Sequence, residues 1–209
     1  MRICIVDYGV GNLFSAAKAF ESLSAAVTVS EDAEEIRSHD ALILPGVGSF
    51  QAGIDGLKVR GLVAVVQEHV AKGKPLLGIC LGAQLLLTRG KEFGEYEGLD
   101  IIQGDVVHFP TLEKGHKTPH IGWNTIELAP QKDWKGTILQ HLPTRAEMYF
   151  VHSYILQPDD TAAVLAVTEY GGCTFPSVIR KGNVYGCQFH PEKSGELGLQ
   201  IIKDFLAIR

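Results

Sequence analysis

Apolar residues in the amino-terminal part of the chain occur in short, nearly uninterrupted runs, separated by longer stretches of mixed polarity. Such a run is typical of a strand that is buried on both faces of a sheet. The runs predict strands over residues 2–6, 25–29, 41–44 and 75–79. The intervening stretches predict helices over residues 12–23, 31–38, 62–70 and 83–88. Because strands alternate with helices, the pattern predicts an α/β fold with an open, mostly parallel sheet and helices on both faces.

The second half of the chain has a different pattern, with short strand candidates that follow one another without helices between them. They cover residues 101–109, 121–128, 147–151, 163–168, 173–180 and 183–188. We expect antiparallel strands to be added to the sheet here. A closing amphipathic helix is predicted over residues 194–208, and no repeat or linker divides the chain. Residues 1–209 are therefore predicted to form a single domain.

Composition excludes several classes of protein. Apolar residues make up 45% of the chain and charged residues 21%, which are ordinary globular values rather than those of a disordered or fibrous protein. No apolar stretch reaches the roughly 18 residues that a membrane helix needs. Asp7 interrupts the first apolar segment, so a secretory signal peptide is not expected. We therefore expect a cytoplasmic location.

Charge and cysteine content indicate which partners to expect and whether the thiols are reduced. The formal net charge of −5 gives no general attraction to nucleic acid or to anionic lipid, so neither is an expected partner. The four cysteines show neither CxxC pairing nor the density of a disulfide scaffold, which indicates reduced thiols. Cys4, Cys173 and Cys187 fall inside predicted strands and are expected to be structural.

Cys80 has a different setting from the other cysteines. It stands between Gly78 and Gly82, after a predicted buried strand and before a predicted helix, which is the context of a nucleophile elbow. Small neighbours make room for a sharp turn, the following helix favours a thiolate, and the N–H group of Leu81 is placed to donate to an oxyanion. The alternative, which the motif alone leaves open, is that Cys80 is a small buried residue between two structural glycines.

A nucleophilic cysteine needs a base, and His190 is the best candidate among the eight histidines. It follows a predicted strand, and Pro191 favours an extended backbone at His190. In an extended segment residues two apart share a face, so Glu192 can orient the imidazole while the other ring nitrogen takes a proton. A solvated surface turn is the alternative for this tripeptide alone. The predicted elbow and base meet at the same carboxyl edge of a parallel sheet, which favours the catalytic interpretation.

The segment GICLGAQLL followed by FHPE resembles the class I (triad) glutamine amidotransferases, and the similarity covers most of the chain. The resemblance implies that Cys80, His190 and Glu192 hydrolyse glutamine to glutamate and ammonia through a thioester, without a metal or an organic cofactor. It also implies that the loop PGVG supplies a second oxyanion donor beside Leu81, from the amide of Val47 or Gly48. The alternative for that loop is a plain turn between a strand and a helix.

The glutamine pocket is predicted from residues on both sides of the nucleophile. Gln84 lies one helical turn beyond Cys80 and can lean back toward it. The resemblance implies that Gln84 contacts the substrate together with Gly48, and that Ser153 and Tyr154, in the segment YFVHSY, line the pocket. His152 points to the opposite side of its predicted strand and is expected to be a packing histidine.

Further motifs bear on the destination of the ammonia. DYGVGNL, PGVGSF, HIGWN, YFVHSY and FHPEKS together resemble the glutaminase subunits of imidazole glycerol phosphate synthases. This implies a heterodimer with a cyclase subunit, a (β/α)₈ barrel, with Asn12 and Trp123 facing the partner. A glutaminase for another synthase and a non-catalytic regulatory paralogue are the alternatives. A dinucleotide site is not expected, because the first glycine-rich turn lacks the full GxGxxG pattern.

Overall fold

The computed structural model describes residues 1–208, which form thirteen strands, and nine of these strands make one mixed sheet. The strands are β1 (Arg2–Val6), β2 (Ala26–Ser30), β3 (Ala41–Gly46), β4 (Leu76–Cys80), β5 (Leu87–Gly90), β6 (Tyr96–Glu97), β7 (Ile102–His108), β8 (His120–Leu128), β9 (Arg145–His152), β10 (Tyr154–Pro158), β11 (Val164–Tyr170), β12 (Cys173–Lys181) and β13 (Val184–Cys187). The helices are α1 (Leu13–Ser22), α2 (Ala33–Arg37), α3 (Phe50–Val59), α4 (Leu62–Ala71), α5 (Leu81–Leu85) and α6 (Gly195–Leu206).

The large sheet changes from parallel to antiparallel along its width. Its strand order is β2-β1-β3-β4-β13-β12-β11-β8-β9, in which the first five strands are parallel to one another. The pairs from β13 to β9 are antiparallel. The predicted α/β fold with a parallel sheet and antiparallel additions is therefore confirmed.

Helices cover both faces of the parallel half, because successive residues of a strand point to opposite sides. Ile3 and Ile5 pack in one apolar cluster with residues of α1 and α6. Cys4 and Val6 pack in the other cluster with residues of α2, α3 and α4. Strands β3 and β4 are buried along their whole length, which explains their uninterrupted apolar runs.

A second sheet of four strands, in the order β10-β7-β5-β6, is the main feature that the sequence pattern did not predict. The predicted helix over residues 83–88 is wrong in its second half, because the chain leaves α5 after Leu85 and enters β5 at Leu87. Residues 85–87 are three consecutive leucines, and a short apolar run does not distinguish a buried helix from a buried strand. Hydrogen bonding of β5 to β6 and β7 makes the end of this segment a strand.

Helix α3 was also missed, because two glycines interrupt its sequence and lower its helix propensity. The second, Gly56, is where α3 crosses the first loop. A Cβ atom at Gly56 would lie 2.2 Å from the carbonyl oxygen of Tyr8, so a glycine allows this close contact. Ser49 caps the helix, accepting from the Ala52 N–H at 3.3 Å. No helix within residues 1–208 is long and apolar enough to cross a membrane.

Candidate active site

The nucleophile candidate Cys80 ends strand β4 in a strained backbone conformation. Its φ of 53° and ψ of −108° lie in a region that residues other than glycine rarely adopt. The neighbouring glycines make this turn possible. A Cβ atom at Gly82 would lie 1.6 Å from the carbonyl oxygen of Leu44, and one at Gly78 would lie 2.7 Å from that of Gly82. The predicted elbow therefore has the geometry that its spacing indicated.

The base candidate His190 reaches the same sheet edge through strand β13. This strand runs parallel to β4 and pairs Cys187 with Ile79, so both chains leave the sheet side by side. Nδ1 of His190 lies 2.8 Å from Oε1 of Glu192, and both side chains are almost fully buried. The Ser194 hydroxyl donates to the His190 carbonyl oxygen at 2.6 Å and fixes the backbone at this point.

The charge state of His190 depends on opposing influences. Burial lowers the pKa of the imidazole, but the contacts with Cys80 and Glu192 outweigh it and raise the pKa to about 9. Since Nδ1 donates to Glu192, Nε2 is the nitrogen available to Cys80. His190 is thus arranged to hold a proton next to the sulfur and to exchange that proton with a reacting group.

A pocket of about 260 Å³ opens beside Cys80. Most of the predicted site residues line it, namely Val47, Gly48, Cys80, Leu81, Gln84, Ser153, Tyr154 and His190. Glu192 stands behind His190 as its hydrogen-bond partner. The structure therefore brings the predicted triad, oxyanion loop and substrate residues together at one place. Within residues 1–208, no group of three or more histidine, cysteine, aspartate or glutamate side chains is arranged to hold a metal ion.

A family model for class-I glutamine amidotransferases matches residues 4–208. The chain belongs to this family. The amidotransferase is also 48% identical to an imidazole glycerol phosphate synthase subunit HisH of Legionella pneumophila strain Paris, over 99% of each chain. It is 46% identical to the subunit of the same name from Lactococcus lactis, over 98% of each chain. The resemblance drawn from its motifs is thereby confirmed.

Solved structures agree with the fold of the amidotransferase. The structure of PurLQS from Thermotoga maritima superimposes with a TM-score of 0.74 and 17% sequence identity. The match covers 99% of this chain and 97% of that one. At this level of identity the similarity concerns the fold alone.

Two residues predicted to face a partner lie outside the pocket of the amidotransferase. Asn12 caps helix α1, where its side chain accepts from the Ser15 N–H at 3.1 Å. Trp123 is 56% exposed on β8 and packs edge-to-face against Tyr149 on the neighbouring strand, with ring centroids 6.1 Å apart. Neither contact depends on a second chain.

The amino-terminal motif of the amidotransferase packs against the predicted oxyanion loop. Tyr8 is fully buried, and its hydroxyl donates to the carbonyl oxygen of Pro45 in the PGVG segment. A Cβ atom at Gly46 would lie 2.4 Å from that hydroxyl, so the two loops fit closely together. Burial also raises the pKa of Tyr8, which keeps the phenol protonated as a donor. No local sequence pattern indicated this contact.

Sequence reasoning missed several residues at the pocket. Glu92, in the loop between β5 and β6, lines it and accepts from the Phe50 N–H at 2.7 Å. Lys193 lines it as well, and Gln188 lies behind the nucleophile with its amide nitrogen 4.0 Å from Sγ of Cys80. His152 is satisfied and buried, in agreement with its predicted packing role, although it also forms part of the pocket wall.

Proposed function

We propose that this amidotransferase hydrolyses the side-chain amide of glutamine at Cys80 and supplies the ammonia to a separate cyclase subunit. The observation that carries the proposal is the Cys80 elbow. It holds a sulfur in a strained turn beside His190, whose other ring nitrogen lies 2.8 Å from a buried carboxylate. This is the arrangement that a cysteine nucleophile with an oriented base requires.

The reaction proceeds in two steps. Sγ of Cys80 attacks the amide carbon of the substrate, and the N–H of Leu81 together with that of Val47 or Gly48 donates to the oxyanion. His190 then gives its proton to the departing nitrogen, so the C–N bond breaks, ammonia leaves and a thioester remains. In the second step His190 takes a proton from water, which attacks the thioester. The C–S bond breaks, and glutamate and the free sulfur are released.

Substrate recognition is assigned to polar groups around the pocket. Gly48, Gln84, Ser153 and Tyr154 contact the amino-acid end of glutamine in this proposal. Glu92 is the carboxylate in the pocket wall, so it is suited to pair with the α-ammonium group of the substrate.

An exposed apolar face beside the pocket supports the docking of a partner. On the outer side of β8 and β9, Ile121 pairs with Val151 and Trp123 pairs with Tyr149. Ile121 and Trp123 are 59% and 56% exposed, and large exposed apolar residues in a contiguous patch are typical of protein interfaces. The carbonyl oxygen of Val151 lies 3.6 Å from Sγ of Cys80, so this face adjoins the site where ammonia forms.

We infer that the partner is the (β/α)₈-barrel cyclase subunit of imidazole glycerol phosphate synthase, in a heterodimer. The full-length similarity to HisH subunits supports this choice. The cyclase would combine the ammonia with a phosphoribulosyl carboxamide nucleotide to give imidazole glycerol phosphate and aminoimidazole carboxamide ribonucleotide, in histidine biosynthesis. Asn12 and Trp123 would face the cyclase. In this proposal residues 1–209 act as one domain, in the cytoplasm.

Reconstitution with a purified cyclase subunit tests this function. We expect the two proteins together to make imidazole glycerol phosphate from the nucleotide with glutamine as the nitrogen source, whereas the cyclase alone needs added ammonium. A chain that hydrolyses glutamine but gives no product with this cyclase would indicate another synthase as the partner. A chain that binds the cyclase without hydrolysing glutamine would indicate a regulatory paralogue.

A further inference from the structure

Gln188 is a fully buried polar side chain next to the nucleophile, and the reaction described above gives it no role. It lies between the end of β13 and His190, and its main-chain N–H donates to the Ser177 carbonyl oxygen at 2.9 Å. Its side-chain amide lies between two groups of the site, Cys80 and Gln84. A buried amide costs free energy unless its polar atoms are paired, so both of these contacts matter for its placement.

The orientation of the Gln188 amide follows from a chain of donors and acceptors. The chain starts at the carbonyl oxygen of Tyr154, which can only accept. Nε2 of Gln84 donates to this oxygen at 3.2 Å and also to Oε1 of Gln188 at 3.3 Å. Because Oε1 of Gln188 is used in this way, Nε2 must be on the other side of its amide. There it faces Sγ of Cys80 at 4.0 Å.

This contact bears on how the sulfur is held for attack. As a thiol, Cys80 donates to the Val151 carbonyl oxygen at 3.6 Å. As a thiolate it can only accept, and an N–H group directed at an anion makes a stronger hydrogen bond than one directed at a neutral atom. The Gln188 N–H is therefore a donor directed at the attacking sulfur and restricts its rotation, provided that Gln84 keeps the amide in its present orientation.

We propose that Gln188 is a positioning residue that couples the substrate-contacting Gln84 to the Cys80 sulfur. This inference rests on the proposed function for its link to glutamine, but its effect on the sulfur can be measured without glutamine. The reactivity of Cys80 toward iodoacetamide depends on the same sulfur and involves neither the substrate nor the partner.

The test measures the rate of Cys80 alkylation by iodoacetamide at pH 7.5 in the full chain bound to the cyclase. Gln188→Met keeps a similar volume and removes the amide, and we expect alkylation about three- to tenfold slower, the effect of one hydrogen bond. Gln188→Glu keeps the acceptor for Gln84 and removes the donor, and it should also slow alkylation. Gln67→Met is the matched control, because Gln67 donates to the Leu99 carbonyl oxygen, 3.0 Å away, and does not line the pocket.

The decisive variant leaves Gln188 in place. Gln84→Met removes the donor that orients the Gln188 amide, so we expect slower alkylation although the Gln84 side chain makes no hydrogen bond to the sulfur. In glutamine hydrolysis by the complex, the double variant should lose much less than the product of the two single losses, because both residues act through one network. Unchanged alkylation in Gln84→Met, or independent losses in hydrolysis, would overturn the coupling.

The same measurements separate this inference from the proposed function. Slower alkylation in the variants of a chain that does not hydrolyse glutamine would sustain the role of Gln188 and contradict the glutaminase assignment. Normal hydrolysis and alkylation in the Gln188 variants would contradict the role of Gln188 and leave the glutaminase assignment intact.

Discussion

His120 and His152 face each other across strands β8 and β9, with Nδ1 of His120 3.0 Å from Nε2 of His152. Nδ1 of His152 lies 2.9 Å from the Tyr154 carbonyl oxygen, which only accepts, so His152 carries its proton on Nδ1. Its Nε2 accepts from His120, whose own Nε2 accepts from the Asn124 amide at 3.3 Å. Both rings are therefore neutral, and an added proton would replace an acceptor with a second donor.

This pair predicts a loss of stability in acid. Burial lowers the pKa of His120 to about 4 and that of His152 to about 3, below the ordinary value of about 6.5 in an unfolded chain. Below pH 6.5 the unfolded chain binds more protons, so the free energy of unfolding falls as the pH decreases toward 4. Each histidine contributes up to about 1.4 kcal/mol per pH unit.

Urea unfolding at several pH values between 4.5 and 7.5 measures the slope of the free energy of unfolding against pH. His120→Phe removes one of the two titrating rings and should flatten the slope, and the same replacement at the exposed His116 serves as the control. An identical pH dependence in wild type and His120→Phe would show that the pair does not cause the acid sensitivity.

Removing the nucleophile should separate the two activities of the complex. Cys80→Ala is expected to abolish glutamine hydrolysis while folding, binding of the cyclase and ammonium-dependent synthesis are retained, because only a sulfur atom is lost. Cys173→Ala, at a free cysteine that does not line the pocket, is the matched control. Near-normal glutamine turnover in Cys80→Ala would refute the assignment of the nucleophile.

The two supporting members of the triad should differ in importance. His190→Ala removes the group that transfers the proton, whereas Glu192→Gln removes only the charge that orients and stabilises the imidazolium. We therefore expect a larger loss of kcat in His190→Ala at saturating glutamine. Full activity in both variants would contradict the triad.

The exposed face of β8 and β9 predicts where the partner binds. Trp123→Ala should weaken binding of the cyclase about tenfold or more, since exposed tryptophans are frequent hot spots of interfaces. Val59→Ala, at a position 85% exposed at the end of α3, is the control for loss of an exposed apolar group. Titration calorimetry measures the affinity of each variant for the cyclase. Equal affinities would indicate that the partner binds another surface.

The isolated chain is expected to be a poor glutaminase that the cyclase activates, and more strongly when the cyclase holds its nucleotide. The physical route is the contact between the first loop and the oxyanion loop, where Tyr8 donates to Pro45. A shift at the first loop can turn the Val47–Gly48 amide, and loss of one oxyanion donor costs ~3–4 kcal/mol of transition-state stabilisation. Steady-state glutamine turnover is measured for the isolated chain, for the chain with the cyclase, and for the chain with the cyclase and its nucleotide, and we expect it to rise in that order. Full activity of the isolated chain would exclude this activation.

Local sequence carried enough information to predict the chemistry of the site. The elbow around Cys80 depends on glycines two residues away on either side, and the orientation of His190 depends on a glutamate two residues beyond it. Both are short-range relationships. The parallel half of the sheet could also be predicted from local sequence, because each of its strands is a buried apolar run between helices.

Other parts of the site depend on distant pairings that no local pattern encodes. Glu92 reaches the pocket from a loop of the second sheet, whose strands β5 and β6 are only four and two residues long. The contact of Gln188 with Cys80 requires the register of β13 against β4. The pairing of His120 with His152 likewise depends on which residues of β8 and β9 face each other.

Transfer of the amide nitrogen is the most direct test of the central claim, that Cys80 releases ammonia which the cyclase partner uses. The complex is supplied with the nucleotide, glutamine labelled at its amide nitrogen and an excess of unlabelled ammonium, and the imidazole glycerol phosphate is analysed by mass spectrometry. We predict that the product of the wild-type complex carries the label and that the product of the Cys80→Ala complex does not. Label in the Cys80→Ala product, or an unlabelled product from an active wild-type complex, would contradict the account.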